Sequence, residues 1–327
     1  MRNRSASTTF VFLVLALTAI SGAVNAQVNG YPVKPIRFVV PFTPGAINDY
    51  LARSLGQKLS ESFGQQVIVD NRPGAGTIVG TDIVAKSAPD GYTMLLTSTA
   101  FAINARLYSK LPFDVARDFA PVTRIGFAPL LLVASPQLQA NTVKDLVALA
   151  KAKPGQIAYA STGSGGSAHL MGEMFKSMAG IDLVHIPYKG LAPALIDVVA
   201  GRVPLTFGTY LAVNAHIKAG RVRALAVTSK VRSRAVPELP TIAESGYPAY
   251  DASAWWGIAV PARTPKPVIA RLNSEAVRIL ESREVGAQMF AQGVEVAATT
   301  PEAFTRYVAE EIERWGTVIK QSGAKPE

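Results

Sequence analysis

The chain has 327 residues, a formal charge of +10 and no cysteine. The lack of cysteine excludes disulfides, thiolate metal sites, thiol nucleophiles and an acylated N-terminal cysteine. The basic residues are scattered, not gathered into the aromatic-laced stripe that nucleic-acid binding requires, so the charge reads as a mild field attracting anionic solutes.

Residues 1–26 predict a secretory signal. Arg2 and Arg4 make a basic start, Phe10 to Ile20 is mostly apolar, and Val24-Asn25-Ala26 offers a small-residue cleavage site, so the mature chain is expected to begin at Gln27 in the periplasm. No later stretch approaches the ~18 apolar residues of a membrane span. The mature length suggests two domains.

Strands are predicted at Ile36–Val40, Val67–Asp70, Thr93–Thr97, Leu130–Ala134, Ile157–Ala160, Leu183–Ile186, Val203–Phe207, Ala224–Thr228 and Gly257–Val260. Several are continuously apolar, as sheets covered by helices on both faces require. Pro204 places its strand at an edge or marks that strand's start.

Between the strands, Leu51, Leu55 and Leu59 recur at helical spacing. Thr142 can N-cap a helix that ends at Pro154-Gly155. Leu170, Met171, Met174, Phe175 and Met178 form a stripe closed by Gly180. Pro193 and Gly201 bracket another helix, and Thr300-Pro301 opens a last one carrying Phe304, Tyr307, Val308, Ile312 and Trp315. The alternation implies an α/β fold. No long linker divides the chain, which fits two domains joined by crossover strands: residues 27–127 with 229–327, and residues 128–228.

Two glycine-rich turns lie between a strand and a helix: Pro41 to Asp49, and Ser161 to Ser167. Helix starts present unpaired N–H groups and partial positive charge, a site for a small anion. In the first turn the N–H groups of Gly45 and Ala46 are the expected donors, with Asn48 adding its side chain and Phe42 forming either a cleft wall or core. Asp49 reads first as a cap. In the second, Gly163 is an expected ligand contact, Thr162, Ser164 and Ser167 offer hydroxyls, and His169 either faces a ligand or is a packed or surface histidine. Ser98, at a strand end, is a further hydroxyl candidate.

Gly163, Gly165 and Ala168 also match a dinucleotide fingerprint with Asp182 downstream, but an exported chain disfavours a nicotinamide cofactor. The serines miss the G-x-S-x-G spacing, and His169, His185 and His216 lack metal-site spacing. His185 fits a satisfied core position, and Trp255-Trp256 fits packing or a hinge. Neither catalysis, a metal nor a cofactor is expected.

Taken together, Ile36–Asp49 (IRFVVPFTPGAIND), Val67–Gly80 (VIVDNRPGAGTIVG), Ala88–Thr99 (APDGYTMLLTST), Tyr159–Leu170 (YASTGSGGSAHL), His185–Leu195 (HIPYKGLAPAL) and Trp255–Pro265 (WWGIAVPARTP) resemble the Bug-type periplasmic receptors of tripartite tricarboxylate transporters. The resemblance covers nearly the whole mature chain. It implies a type II periplasmic-binding-protein fold, in which two domains close like a flytrap on a carboxylate gripped by the loops at Phe42–Asp49 and Ser161–His169, and a membrane permease as partner. A monomer is expected. Two departures bear on the ligand. Ala46 stands where the family commonly has a second glycine, which would restrict the loop if φ were positive there. Phe207-Gly208 replaces the family's Phe-Asp, which disfavours a ligand ammonium and leaves Thr209 as a polar contact. A sensor passing its ligand-bound form to a signalling protein and, less favoured, a periplasmic enzyme on the same scaffold are the alternative readings.

Overall fold

The computed structural model describes residues 30–326; the predicted signal segment and Gln27 lie outside them. In chain order the strands are β1 (Ile36–Val40), β2 (Val67–Asn71), β3 (Thr93–Ser98), β4 (Phe119–Ala128), β5 (Leu131–Ala134), β6 (Ile157–Ser161), β7 (Leu183–Pro187), β8 (Leu205–Gly208), β9 (Arg223–Val227), β10 (Ala254–Pro261) and β11 (Glu295–Val296). The helices are α1 (Ile47–Phe63), α2 (Ile78–Ala85), α3 (Thr99–Leu107), α4 (Val143–Ala152), α5 (Ser167–Ala179), α6 (Leu191–Val199), α7 (Tyr210–Lys218), α8 (Lys266–Leu280), α9 (Arg283–Ala291) and α10 (Pro301–Ser322).

The strands form two mixed sheets. One has six strands in the order β11-β4-β10-β3-β1-β2, the other five in the order β7-β6-β8-β5-β9. Each contains a parallel trio, β2-β1-β3 and β7-β6-β8, whose carboxyl ends lead into helices. Central strands are buried over their whole length, as β5 and β10 show, because helices cover both faces. Leu51, Leu55 and Leu59 bury α1 against its sheet, and Leu170, Met171 and Phe175 bury α5. Met178, placed on the same predicted stripe, stands partly in solvent one turn before the Gly180 cap.

Pro204 immediately precedes β8, which lies in the middle of its sheet, so the proline marks the strand's start and not an edge. The ten-residue β4 was not among the predicted strands, although β10 pairs along almost all of it. Pro121 and Gly126 interrupt its apolar pattern. β11 reaches β4 only at Gly126 and Phe127, so Pro121, opposite Ala259 of β10, has a strand partner on one side only, where a missing N–H is tolerated.

The C-terminal third returns to the first sheet. On α10, Phe304, Val308 and Trp315 are buried. The Trp255 and Trp315 indoles both donate to Glu311 Oε2, at 2.8 and 2.9 Å, and Arg314 donates to Oε1, so this buried carboxylate is fully paired. The chain passes between sheets twice, after Ala128 and after Val227. The two passages bond to each other: Leu130 N donates to Thr228 Oγ1 at 2.8 Å and Thr228 N to the Leu130 carbonyl at 3.0 Å.

Candidate functional site

A cleft lies between the carboxyl ends of the two parallel trios, where open α/β sheets bind ligands. Five helices begin on its inner part: α1 and α3 from the first sheet, α5, α6 and α7 from the second. Their N-cap residues are Ala46, Ser98, Gly166, Gly190 and Thr209, and none supplies a side-chain cap. Three of these residues have no side chain able to cap, and at Ser98 and Thr209 the hydroxyl does not bond the helix. The first-turn N–H groups and the dipoles of five helices therefore point into one space.

The space has two chambers. The inner, of about 70 Å³, is lined by Phe42, Leu130, Phe207, Trp255 and Trp256 together with the helix starts. The outer, of about 410 Å³, lies between Pro41–Thr43, Pro73–Thr77 and the segment at Tyr188, Lys189 and Gly190. Phe42, Thr43, Thr162, Gly166 and Gly190 line both and form the neck. Among the described residues no Asp or Glu lines either chamber, and Lys189 is the one charged residue that does. The walls touch at glycines: a Cβ on Gly76 would sit 2.5 Å from the Ser164 carbonyl oxygen, and one on Gly165 would overlap Asn104.

In the first turn the left-handed residue is Gly45, at φ 87°, while Ala46 is extended at φ −93°. The alanine that departs from the family pattern therefore carries no backbone strain. Gly45 does not line the cleft. Its N–H donates to Asp49 Oδ2 at 3.1 Å, and Arg53 donates to the same oxygen at 3.0 Å. Asp49 thus reaches back from the third helical position to the loop before α1 and not to a helix N–H, so it does not cap α1 as expected, and it has no place in the cleft lining. Burial pushes its carboxyl up, but the Arg53 and Gly45 hydrogen bonds outweigh this and hold it below its ordinary range.

Asn48 does line the cleft. The Trp256 indole N–H donates to its Oδ1 at 2.7 Å. An indole can only donate, so this bond fixes which end of the amide is oxygen and turns the NH₂ away from the tryptophan. Trp256 is therefore more than packing: it sets the donor that Asn48 offers.

In the second turn Thr162 and Ser167 line the inner chamber and Gly163 the outer. Ser164 and His169 line neither and are buried. His169 Nδ1 accepts the Gly165 N–H at 3.2 Å, and its ring stacks on His185 at 4.0 Å. His185 Nε2 lies 2.6 Å from Ser161 Oγ, which accepts the Gly163 N–H. The two histidines buttress the turn from behind. Burial pushes His185 down to about 4.

Seven predicted residues thus meet in the inner chamber: Phe42, Ala46, Asn48, Ser98, Thr162, Ser167 and Thr209. Gly163 joins the outer one, Asp49, Ser164 and His169 are buried behind the walls, and Gly45 is exposed on the loop outside the lining. Sequence reading missed Thr43, Gly190 and Leu191, and it placed Trp255 and Trp256 elsewhere. The start of α6 carried the same signal as the other turns, a glycine after a strand with Pro193 in the first turn. At position 208 a Cβ would come within 2.5 Å of the Val213 side chain, so a larger residue there would have to displace that valine. Among the described residues there is no metal-type cluster of His, Asp and Glu, and no helix is long and apolar enough to cross a membrane.

The model of the tripartite tricarboxylate transporter family receptors matches residues 51–324. The protein BugT of Bordetella pertussis is 40% identical over 315 residues, covering 96% of each chain. Among solved structures, R. palustris Rpa4515 with adipate is 36% identical at a TM-score of 0.87, covering 91% of this chain and all of that one. MatC from Rhodopseudomonas palustris, with bound malate, is 28% identical at a TM-score of 0.82, covering 88% of this chain and all of that one. With its two-sheet cleft, this chain belongs to the family of tripartite tricarboxylate transporter receptors, which are solute-binding proteins and not enzymes.

Proposed function

We propose that the chain is a periplasmic receptor that captures a small organic carboxylate in the cleft and delivers it to the membrane permease of a tripartite transporter. The observation that carries this reading is the convergence of five helix starts without side-chain caps on a cleft that no acidic residue lines. Such a surface favours a carboxylate and offers nothing to a ligand ammonium, in keeping with Gly208 where the family pattern has an aspartate. Adipate and malate in two relatives support the same ligand class.

In this reading residues 27–127 and 229–327 form one domain and residues 128–228 the other, and the Leu130–Thr228 bond pair lies at the hinge. The ligand bridges Ala46, Asn48 and Ser98 on one wall to Thr162, Ser167 and Thr209 on the other, stabilising the closed state by its preference for it. The chain is exported by its first 26 residues and works as a monomer.

The test is thermal unfolding of residues 27–327, stripped of bound solutes, against carboxylates, amino acids, sugars and nucleotides. A ligand at 100 times its Kd adds about 2.7 kcal/mol to stability. A saturable shift from a carboxylate is expected. Shifts from sugars or nucleotides with silence from every carboxylate would refute the reading.

A further inference from the structure

The two chambers differ in character. The inner one is small, apolar-sided and edged by helix starts; the outer one is wider and holds the cleft's single charged side chain, Lys189. Lys189 lies between the end of β7 and the start of α6, on the wall opposite the Pro73–Thr77 turn. It is exposed and forms no ion pair among the described residues. Asp197, on the helix that follows, is already held by the Tyr188 hydroxyl and by Arg202, each at 2.7 Å. The Lys189 ammonium is therefore free for a ligand, on a flexible stem that can reach across the outer chamber. The neck between the chambers is formed by Phe42, Gly166 and Gly190 with the Thr43 and Thr162 side chains, a passage suited to a methylene chain or an aryl ring.

Resting on the receptor reading above, we propose that Lys189 determines specificity by receiving a second ligand carboxylate. One carboxylate sits on the helix starts of the inner chamber, an apolar body threads the neck, and the other carboxylate meets Lys189. The receptor then selects dicarboxylates over monocarboxylates of the same length. A second carboxylate entering the cleft with no counter-charge would lose hydration without replacement, so the selectivity resides in this one side chain.

The test is calorimetric titration of the wild type, Lys189→Gln, Lys189→Arg and the remote Lys144→Gln with matched acids: succinate and butyrate, adipate and hexanoate, terephthalate and benzoate. The wild type should bind the preferred dicarboxylate at least roughly tenfold more tightly than its monocarboxylate partner. Lys189→Gln should weaken the dicarboxylate by roughly five- to twentyfold, the range of a partly solvated charge pair, and leave the monocarboxylate unchanged. Lys189→Arg should keep the preference, and Lys144→Gln should change neither. Equal losses for both acids, no loss for either, or a wild type indifferent to the second carboxylate would overturn the role of Lys189 while the receptor reading stands. Failure of the wild type to bind any of the three dicarboxylates would likewise overturn the role of Lys189, while the receptor reading falls only if the wider panel of carboxylates is silent as well.

Discussion

Helices that begin at the cleft and helices that begin away from it are built differently. Far from the cleft, Thr142 caps α4 in a reciprocal box with Asp145, Ser282 caps α9 and Thr300 caps α10. At the cleft, the N-caps of α1, α3, α5, α6 and α7 make no side-chain bond to their helices, although Ser98 and Thr209 are residue types that could. A missing cap costs about 0.5–2 kcal/mol. The molecule carries that cost where the unpaired donors face one another; away from the cleft, among the described residues, only α8, which opens on Pro265 and has a proline in its first turn, also starts without a side-chain cap. The same type of helix end thus serves stability in one region and recognition in the other.

The largest expected effect comes from installing a cap at the cleft. Ala46 has extended N-cap geometry, so Ala46→Asp should cap α1 and raise the melting temperature of the free protein by about 2–4 °C. The new carboxylate would occupy the α1 donors and repel an anionic ligand, and calorimetry should show at least ~100-fold weaker binding. Higher stability with unchanged affinity would break the link between open caps and recognition.

Trp256→Phe should act more gently. It removes the indole donor that orients Asn48, and affinity should fall by roughly three- to tenfold with little change in stability. A full Asn48→Leu loss should then be no larger when added to Trp256→Phe than the non-additivity of a shared contact allows.

Away from the cleft, Thr142→Ala should lower stability by about 0.5–2 kcal/mol in denaturant titrations and leave affinity untouched. A change in affinity would show that the outer helices are not independent of the site.

A further effect concerns pH. Burial holds His185 at about 4, below its ordinary 6.5. Between those values the unfolded chain binds a proton that the folded chain refuses, so this contribution is present above about pH 6.5 and is lost as pH falls through about 4. Allowing for the partial exposure of the ring, it amounts to about 1–2 kcal/mol. Melting temperatures from pH 7 to 4.5 should decline in the wild type and more shallowly in His185→Gln.

Much of this was legible in the sequence where one signal dominated. Continuous apolar runs marked the buried strands, and Thr142, Gly180 and Thr300 marked helix ends because local chemistry fixes them. β4 was not legible, since Pro121 and Gly126 break its apolar run, and what accommodates them is distant in sequence: β11 stops short of Pro121, and the Glu295 backbone packs close on Gly126. Within the site, the loops were legible but the orientation of their groups was not. Asp49 turns back to Gly45, and His169 turns inward onto His185, through contacts that spacing does not encode. Trp256 looked like core because the partner that gives it a role, Asn48, lies 208 residues away.

The most direct measurement of the central claim is backbone amide NMR of residues 27–327 titrated with the most stabilising carboxylate. The account predicts downfield shifts of the first-turn amide protons at Ile47–Asn48, Thr99–Ala100, Ser167–Ala168 and Leu191, with the capped starts of α4 and α10 unmoved. Saturable binding with those cleft amides silent would contradict it.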